Sequence, residues 1–474
     1  MGSKDRFKVD IQTLNNGVTG SCNFCVVKFP DGSTSRFVVD CGLFQGVDEE
    51  KDFNKDFPFN EENIDFVLVT HNHVDHVGRL PLLCKNGFDG KIYSSIPTSK
   101  LLPLALYDSC KVVKDVYTRK HEEILYRDTD VQKALSQLEG VPYSQSINVA
   151  EHIKATFFKN GHLVGAACIL VEISFPSEEK NINIFFTGDF NNKNVFFDVD
   201  AIPSWVLELP LTVVQESTYG SINSDSIVVC FEKNILSALE NNNTIVIPVF
   251  SLGRSQEILH IIKDMQEQGK IDSSIPIYFD GKLARRYTEL YLKNDIDIKE
   301  EMVDFLPANI VYVDSVIREL VLEDTDSKII VTTSGMGSYG PAPQYISTFI
   351  RQKNALIHFT GYTAEGTLGH RLKTTPIGET VQVAGVFVEK QATVEYTPEF
   401  SAHAKADEMI DFLKQFRKIN FLLINHGEPE VKESFAKQIL KEKINVKDIG
   451  IASREYFFRI SPYRLVKTLP TKFH

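Results

Sequence analysis

The segment Ile64-Asp65-Phe66-Val67-Leu68-Val69-Thr70-His71-Asn72-His73-Val74-Asp75-His76 joins an apolar run directly to three imidazoles and a carboxylate within six residues. The run has the length and composition of a buried strand, so the polar cluster falls on the loop at its end. In extended backbone His71 and His73 project to the same side, and both rings can reach one cation at about 2.1 Å. Asp75 and His76 fall beyond that ion. One short loop does not easily wrap a single tetrahedral metal with all four groups, so the surplus predicts a second ion roughly 3.5–4 Å away. A polar surface loop holding histidines by chance is the plain alternative, and the spacing and the strand before it count against that reading.

The remaining ligands are expected after other apolar runs. Gly161-His162-Leu163 follows 153–160, and Thr187-Gly188-Asp189 follows 182–186. Asn425-His426-Gly427-Glu428-Pro429 follows 421–424. Each alone reads as an ordinary loop. With the His71 loop they supply enough donors for two ions, and the neighbouring glycines let backbone approach closely.

These motifs resemble the metallo-β-lactamase fold, and more narrowly its β-CASP branch of nucleases, along almost the whole chain. Val38-Val39-Asp40-Cys41-Gly42 is similar to the family's first motif, 71–76 to its second, and His162 and Asp189 to its third and fourth. Glu216 in Glu216-Ser217-Thr218-Tyr219-Gly220, His403 in Phe400-Ser401-Ala402-His403-Ala404, and His426 resemble the three motifs special to the nuclease branch. Gly253-Arg254-Ser255-Gln256-Glu257, Ser334-Gly335-Met336 and the segment from Gly361-Tyr362 to Gly366-Thr367-Leu368-Gly369 resemble signatures of the inserted domain.

The resemblance implies an α/β chain: a metallo-β-lactamase αββα sandwich with an inserted β-CASP domain, a parallel sheet flanked by helices. It implies one ion on His71, His73 and His162, another on Asp75, His76 and His426, and Asp189 bridging them. Asp40 would support the ligands from behind. Zinc suits these donors, and manganese is compatible. A hydroxide between the ions would attack phosphorus in line, since bound water loses its proton near pH 7. His403 would protonate the departing sugar oxygen, with Glu216 holding its ring. Asp75, His403 and Glu216 thus form the expected catalytic set, and Arg254, Ser334 and Gly335 are candidate substrate contacts. Arg254 begins a helical pattern, and neutralising a carboxylate is its competing role.

The expected layout is 1–220 for the first part of the metallo-β-lactamase domain, 221–391 for the insert and 392–474 for the return. Short apolar runs such as 22–29, 36–39, 155–158, 169–174 and 182–186 read as layered strands. From 244 onward, runs at 244–249, 276–279, 310–313, 328–331 and 356–359 alternate with helical stretches, as a parallel sheet requires. The insert is expected to form a lid, with substrate entering the cleft beside the metals.

With 474 residues, 43% hydrophobic and 24% charged, the chain can bury two sizeable cores. Seven scattered cysteines form no disulfide framework, the start Met1-Gly2-Ser3-Lys4-Asp5-Arg6 has no apolar signal core, and no run approaches a membrane span. A cytoplasmic enzyme without membrane attachment is expected. Cys22 and Cys25 have CxxC spacing, but strand alternation would send them to opposite faces. His121, His152, His260, His358, His370 and His474 read as ordinary residues. The net charge of −12 argues against a wide basic surface, though two divalent ions would leave the site itself at about +1.

Two positions depart from the family pattern. Lys405 stands where relatives commonly have aspartate after the acid histidine; Asp407 is the candidate to replace it, unless the helix starts differently. Only 48 residues follow His426, by 474 minus 426, so the chain is more similar to short bacterial and archaeal relatives of the polyadenylation endonuclease than to ribonuclease J. His426 favours RNA, because the DNA-processing branch usually has valine there. The expected activity is RNA hydrolysis, internal or from the 5′ end, in processing or decay. A DNA nuclease, a small-molecule hydrolase of the same fold and an inactive binding subunit are the alternatives. The oligomeric state stays open, a homodimer included.

Overall fold

Alternation along the strands sorts the apolar side chains of the catalytic-motif region onto two faces. In Asn23–Lys28, Cys25 and Val27 face one core while Phe24 and Val26 face another. Cys22 joins the second core and Cys25 the first, so the CxxC pair shares no ligand position. The computed structural model describes residues 8–46, 52–176, 179–293, 295–361, 363–461 and 465–468. Met1 to Arg6, Tyr362 and His474 lie outside them.

The chain divides into Met1–Asp225 with His403–His474, and Ser226–Ala402. Among the described residues of the first unit, an eight-stranded sheet runs from Leu465–Thr468 at one edge to Leu138–Val141 at the other. A seven-stranded sheet runs from Val446–Ile451 to Ser146–Ala150. Val9, Phe37 and Phe66 of one meet Ile169, Phe175 and Ile184 of the other in a shared core. Each fully buried Phe or Ile contributes roughly 1.5–3 kcal/mol, so this seam holds the two sheets together. Helices Ile96–Arg119 and Asp128–Ser136 cover the outer face of the first sheet, and Ala406–Lys414 and Pro429–Lys441 that of the second. The layers are αββα, as expected.

This arrangement gathers the strand ends. Thr34–Val39 and Phe66–Leu68 are parallel neighbours, as are Lys180–Phe186, Pro210–Gln215 and Lys418–Ile424. Their C-terminal ends lead into Asp40, His71, Asp189, Glu216 and His426.

The second unit is a parallel sheet in the order Ile310–Tyr312, Ile277–Asp280, Lys328–Thr332, Thr244–Pro248, Ala355–Phe359, Thr393–Tyr396. Thr244–Pro248 and Lys328–Thr332 are buried throughout, which their Ile and Val content requires when helices cover both faces. Thr393–Tyr396 extends this sheet beyond residue 391, and the chain crosses back at Ala402/His403. Among the described residues no helix is long and apolar enough to cross a membrane.

Candidate metal centre

The His71 loop changes conformation part-way. His73 is extended, at φ −70° and ψ 146°, and the short helix Val74–Val77 begins after it, carrying Asp75 and His76. Gly42 lies against this helix so closely that a Cβ there would stand 1.5 Å from the Asp75 carbonyl oxygen.

The structure brings all seven expected ligands together in two groups. In the first, His162 Nε2 stands 3.1 Å from His73 Nδ1, and His71 Nε2 and His162 Nε2 each lie 3.7 Å from Asp189 Oδ2. In the second, His76 Nε2 is 3.3 Å from His426 Nε2, 3.3 Å from Asp189 Oδ1 and 3.8 Å from Asp75 Oδ2. Asp189 thus turns one oxygen to each group.

These donors fit a metal. Four ligands about 2.0–2.1 Å from a tetrahedral ion stand roughly 3.4 Å from one another, and the observed separations bracket that value. His71 Nε2 is buried and has no hydrogen-bond partner among the described residues, a costly state for a polar atom that no cation uses. Burial pushes His71 well below its ordinary pKa and His73 to about 4, so both rings are neutral at pH 7 and keep a lone pair for an ion. The His/Asp cluster can bind metal.

Behind the ligands, Asp40 organises the protons. Its Oδ1 accepts the Thr70 N–H at 2.8 Å, while Oδ2 accepts from the Thr70 hydroxyl and from His76 Nδ1, both at 2.8 Å. Thr70 Oγ1 lies 3.0 Å from His71 Nδ1. Because a carboxylate only accepts, the chain runs one way: His71 Nδ1–H to Thr70, and Thr70 and His76 Nδ1–H to Asp40. Both Nε2 lone pairs are thereby turned inward. Asn160 Oδ1 similarly holds the His162 N–H at 2.9 Å, and Thr218 Oγ1 lies 3.2 Å from His426 Nδ1. The sequence reading missed Thr70, Asn160 and Thr218; for Thr70 and Asn160 the available signal was a position one or two residues from an expected ligand, and for Thr218 a position two residues after Glu216.

His403 stands at the edge of the cluster. Its Nδ1 is 2.9 Å from Glu216 Oε1 and its Nε2 3.9 Å from Asp189 Oδ2. Burial lowers its pKa, but Glu216 and Asp189 outweigh that and hold it above the ordinary value. Glu216 is itself fixed by the N–H groups of Phe190 and Thr218 at 2.8 and 3.0 Å. Asp407 accepts from the Ser224 N–H and hydroxyl at 2.9 and 3.0 Å, so its carboxylate is turned to Ser224. Lys405 donates to the His403 carbonyl at 3.2 Å and packs over Tyr219.

Three family models match the chain. A metallo-beta-lactamase superfamily domain covers residues 30–195, a Beta-Casp domain 255–372, and a Zn-dependent metallo-hydrolase RNA specificity domain 388–447. The chain belongs to the β-CASP branch of the metallo-β-lactamase superfamily. Among its relatives, the transcription termination factor FttA of Methanosarcina mazei is 30% identical over 86% of this chain and 66% of its own length. The RNase J-like protein of Methanocaldococcus jannaschii is 29% identical over 86% of this chain and 90% of its own. Ribonuclease TTHA0252 of Thermus thermophilus is 28% identical over 87% and 91%. The match therefore spans just under two thirds of the termination factor and nine tenths of the other two.

In the β-CASP unit the three expected substrate contacts have local partners. Arg254 is buried, ion-paired with Glu257 and placed over the Phe400 ring at 5.9 Å. Ser334 closes a turn with Tyr339 through its N–H and its hydroxyl. A Cβ on Gly335 would stand 2.8 Å from the Phe250 ring, so glycine there permits close packing. His358, among the histidines read as ordinary, is a buried residue bonded within this unit.

Proposed function

We propose that this chain is a metal-dependent ribonuclease that hydrolyses RNA phosphodiester bonds in processing or decay. The observation that carries the reading is His403: its ring is held through Nδ1 by Glu216, and its Nε2 is aimed at the edge of the two donor groups, beside Asp189. A site that only bound metal has no use for an imidazole held in this way at its edge. We assign two divalent ions, most naturally zinc with manganese compatible, one to His71, His73 and His162 and one to Asp75, His76 and His426, with Asp189 shared. Bound there, the ions would supply a polarised phosphate and a water acidic enough to act near neutral pH.

The chain's own residues do the rest. Glu216, 2.9 Å from Nδ1, favours the protonated form of the His403 ring, so Nε2–H can be given to the departing sugar oxygen; such a donor contributes about 10²–10⁴ in rate. Asp40 and Thr70 keep both Nε2 lone pairs of His76 and His71 on the cluster. His426 favours RNA over DNA, being the residue associated with RNA-cutting relatives, and two of the relatives named above carry ribonuclease names. The net charge of −12 favours recognition close to the site over long backbone tracking.

The test is metal removal and return, with RNA labelled at both ends. Two ions per chain are expected, with cleavage lost on chelation and restored by zinc or manganese. Cleavage by fully stripped protein, or full activity with one ion per chain, would refute the assignment. The labels would also separate internal cutting from 5′-terminal cutting.

A further inference from the structure

A cavity of about 280 Å³ opens in the first unit, lined by Leu14, Asn16, Phe44, Phe53, Glu428 and Arg454 among others. We propose that it holds one nucleobase of the strand being cut, with guanine favoured; this rests on the ribonuclease reading above. Position is the first argument. Glu428 is two residues from His426, and extended chain covers at most about 7 Å in two residues, so the cavity lies within a nucleotide's reach of the metal ligands.

Shape is the second. Phe44 and Phe53 meet edge to face, with centroids 5.5 Å apart, and the Arg454 guanidinium lies 3.7 Å from the Phe53 centroid. Arg454 thus covers one face of Phe53 and is flattened on it, and guanidinium planes are among the surfaces on which proteins stack unpaired RNA bases. The volume lies just below the roughly 300–1,000 Å³ typical of drug-sized ligand pockets, which suits one base and excludes a longer segment.

Edge chemistry selects among the bases. Glu428 brings an acceptor-only carboxylate and Arg454 a donor-only guanidinium. Guanine matches both, giving its N1–H and 2-amino hydrogens to the carboxylate and taking guanidinium hydrogens at O6 or N7. Adenine and cytosine offer the carboxylate a single amino group, whereas guanine offers two adjacent donors, one for each carboxylate oxygen.

The cavity is braced before any ligand arrives. Lys432 Nζ donates to the carbonyls of Asn16 and Ala452, both at 2.8 Å, tying two walls together. Asn16 Oδ1 accepts the Arg454 N–H at 2.9 Å, and Gln12 Nε2 donates to the Arg454 carbonyl at 3.1 Å. Arg79 packs 4.9 Å from the Phe44 centroid and donates to the carbonyls of Gly42 and Phe53 at 2.6 and 3.1 Å. A pocket so fixed loses little freedom on binding.

The test uses metal-loaded protein and RNAs identical except for the nucleotide on each side of the cut. Wild type should favour guanine on one side by about tenfold or more in kcat/KM. Glu428→Gln and Arg454→Met should bring that ratio toward one, and Phe53→Ala serves if either fails to fold. In metal-stripped protein, where nothing turns over, a photoreactive guanine in the RNA should crosslink to Phe53, Arg454 or their neighbours. Absence of any RNA cutting would remove the ribonuclease reading and this proposal with it. Cutting without base preference, or crosslinks confined elsewhere, would overturn the pocket alone.

Discussion

Asp40→Asn changes one atom and should reverse the proton order on both sides of the metal centre. Asp40 accepts three hydrogen bonds, from Thr70 N–H, Thr70 Oγ1–H and His76 Nδ1–H, each at 2.8 Å. An asparagine that keeps its oxygen on the Thr70 N–H presents NH₂ to the other two. His76 Nδ1 must then accept, which moves its proton to Nε2, where the ion needs a lone pair. Thr70 must also accept, and its own hydrogen turns to His71 Nδ1 at 3.0 Å, moving that ring's proton to Nε2 as well. The opposite amide orientation sets NH₂ against the Thr70 N–H and leaves buried donors unpaired, at about 1–3 kcal/mol. The first orientation is therefore preferred, and zinc affinity should fall about 10- to 100-fold. The backbone is not a confounder, since Asp40 sits at φ 63° and asparagine tolerates that region. The assay is competition for zinc against a chromophoric chelator, with circular dichroism to check the fold. Affinity within twofold of wild type, at an unchanged spectrum, would refute the proton-order argument.

Two further outcomes are expected. Gly42→Ala places a Cβ 1.5 Å from the Asp75 carbonyl oxygen, so the Asp75–His76 turn must move; metal content should drop sharply, and retention of wild-type stoichiometry would contradict this. His358 is buried, with its pKa pushed down to about 4 by desolvation. The unfolded chain takes up that proton near 6.5, so unfolded protein binds more protons between 6.5 and 4 and stability falls as pH drops through that window. The β-CASP sheet should lose about 2 kcal/mol from this residue between pH 7 and 5, measured as hydrogen exchange of Ala355–Phe359 amides against His358→Gln. Equal pH slopes in the two proteins would count against it.

What could be read in the sequence was what repeats a local rule. His71, His73, Asp75 and His76 share one loop, and His162, Asp189 and His426 each follow an apolar run, so their candidacy as metal donors was legible before the structure grouped them. Thr70, Asn160 and Thr218 were not, because a hydroxyl or amide at a strand end is common and becomes meaningful only when the ring or backbone of an expected ligand lies within hydrogen-bond distance. Strands buried on both faces, such as Thr244–Pro248, announced themselves. The edge strands Leu138–Val141 and Ser146–Ala150 did not, since much of their surface is exposed and polar residues interrupt the pattern. The helix Ile96–Arg119 was hidden by Pro97 and Pro103, the second lying inside it. Asp407 illustrates a different limit: two positions in sequence decide which carboxylate is near His403, but the helix start turns that of Asp407 to Ser224.

The most direct test of a metal-dependent ribonuclease with His403 as its acid compares wild type and His403→Ala at matched metal content on one RNA strand and its DNA counterpart. Wild type should cut RNA and spare DNA, and the variant should lose about 10²-fold or more in rate while holding the same metal. Equal cutting of DNA, or a variant as fast as wild type, would contradict the account.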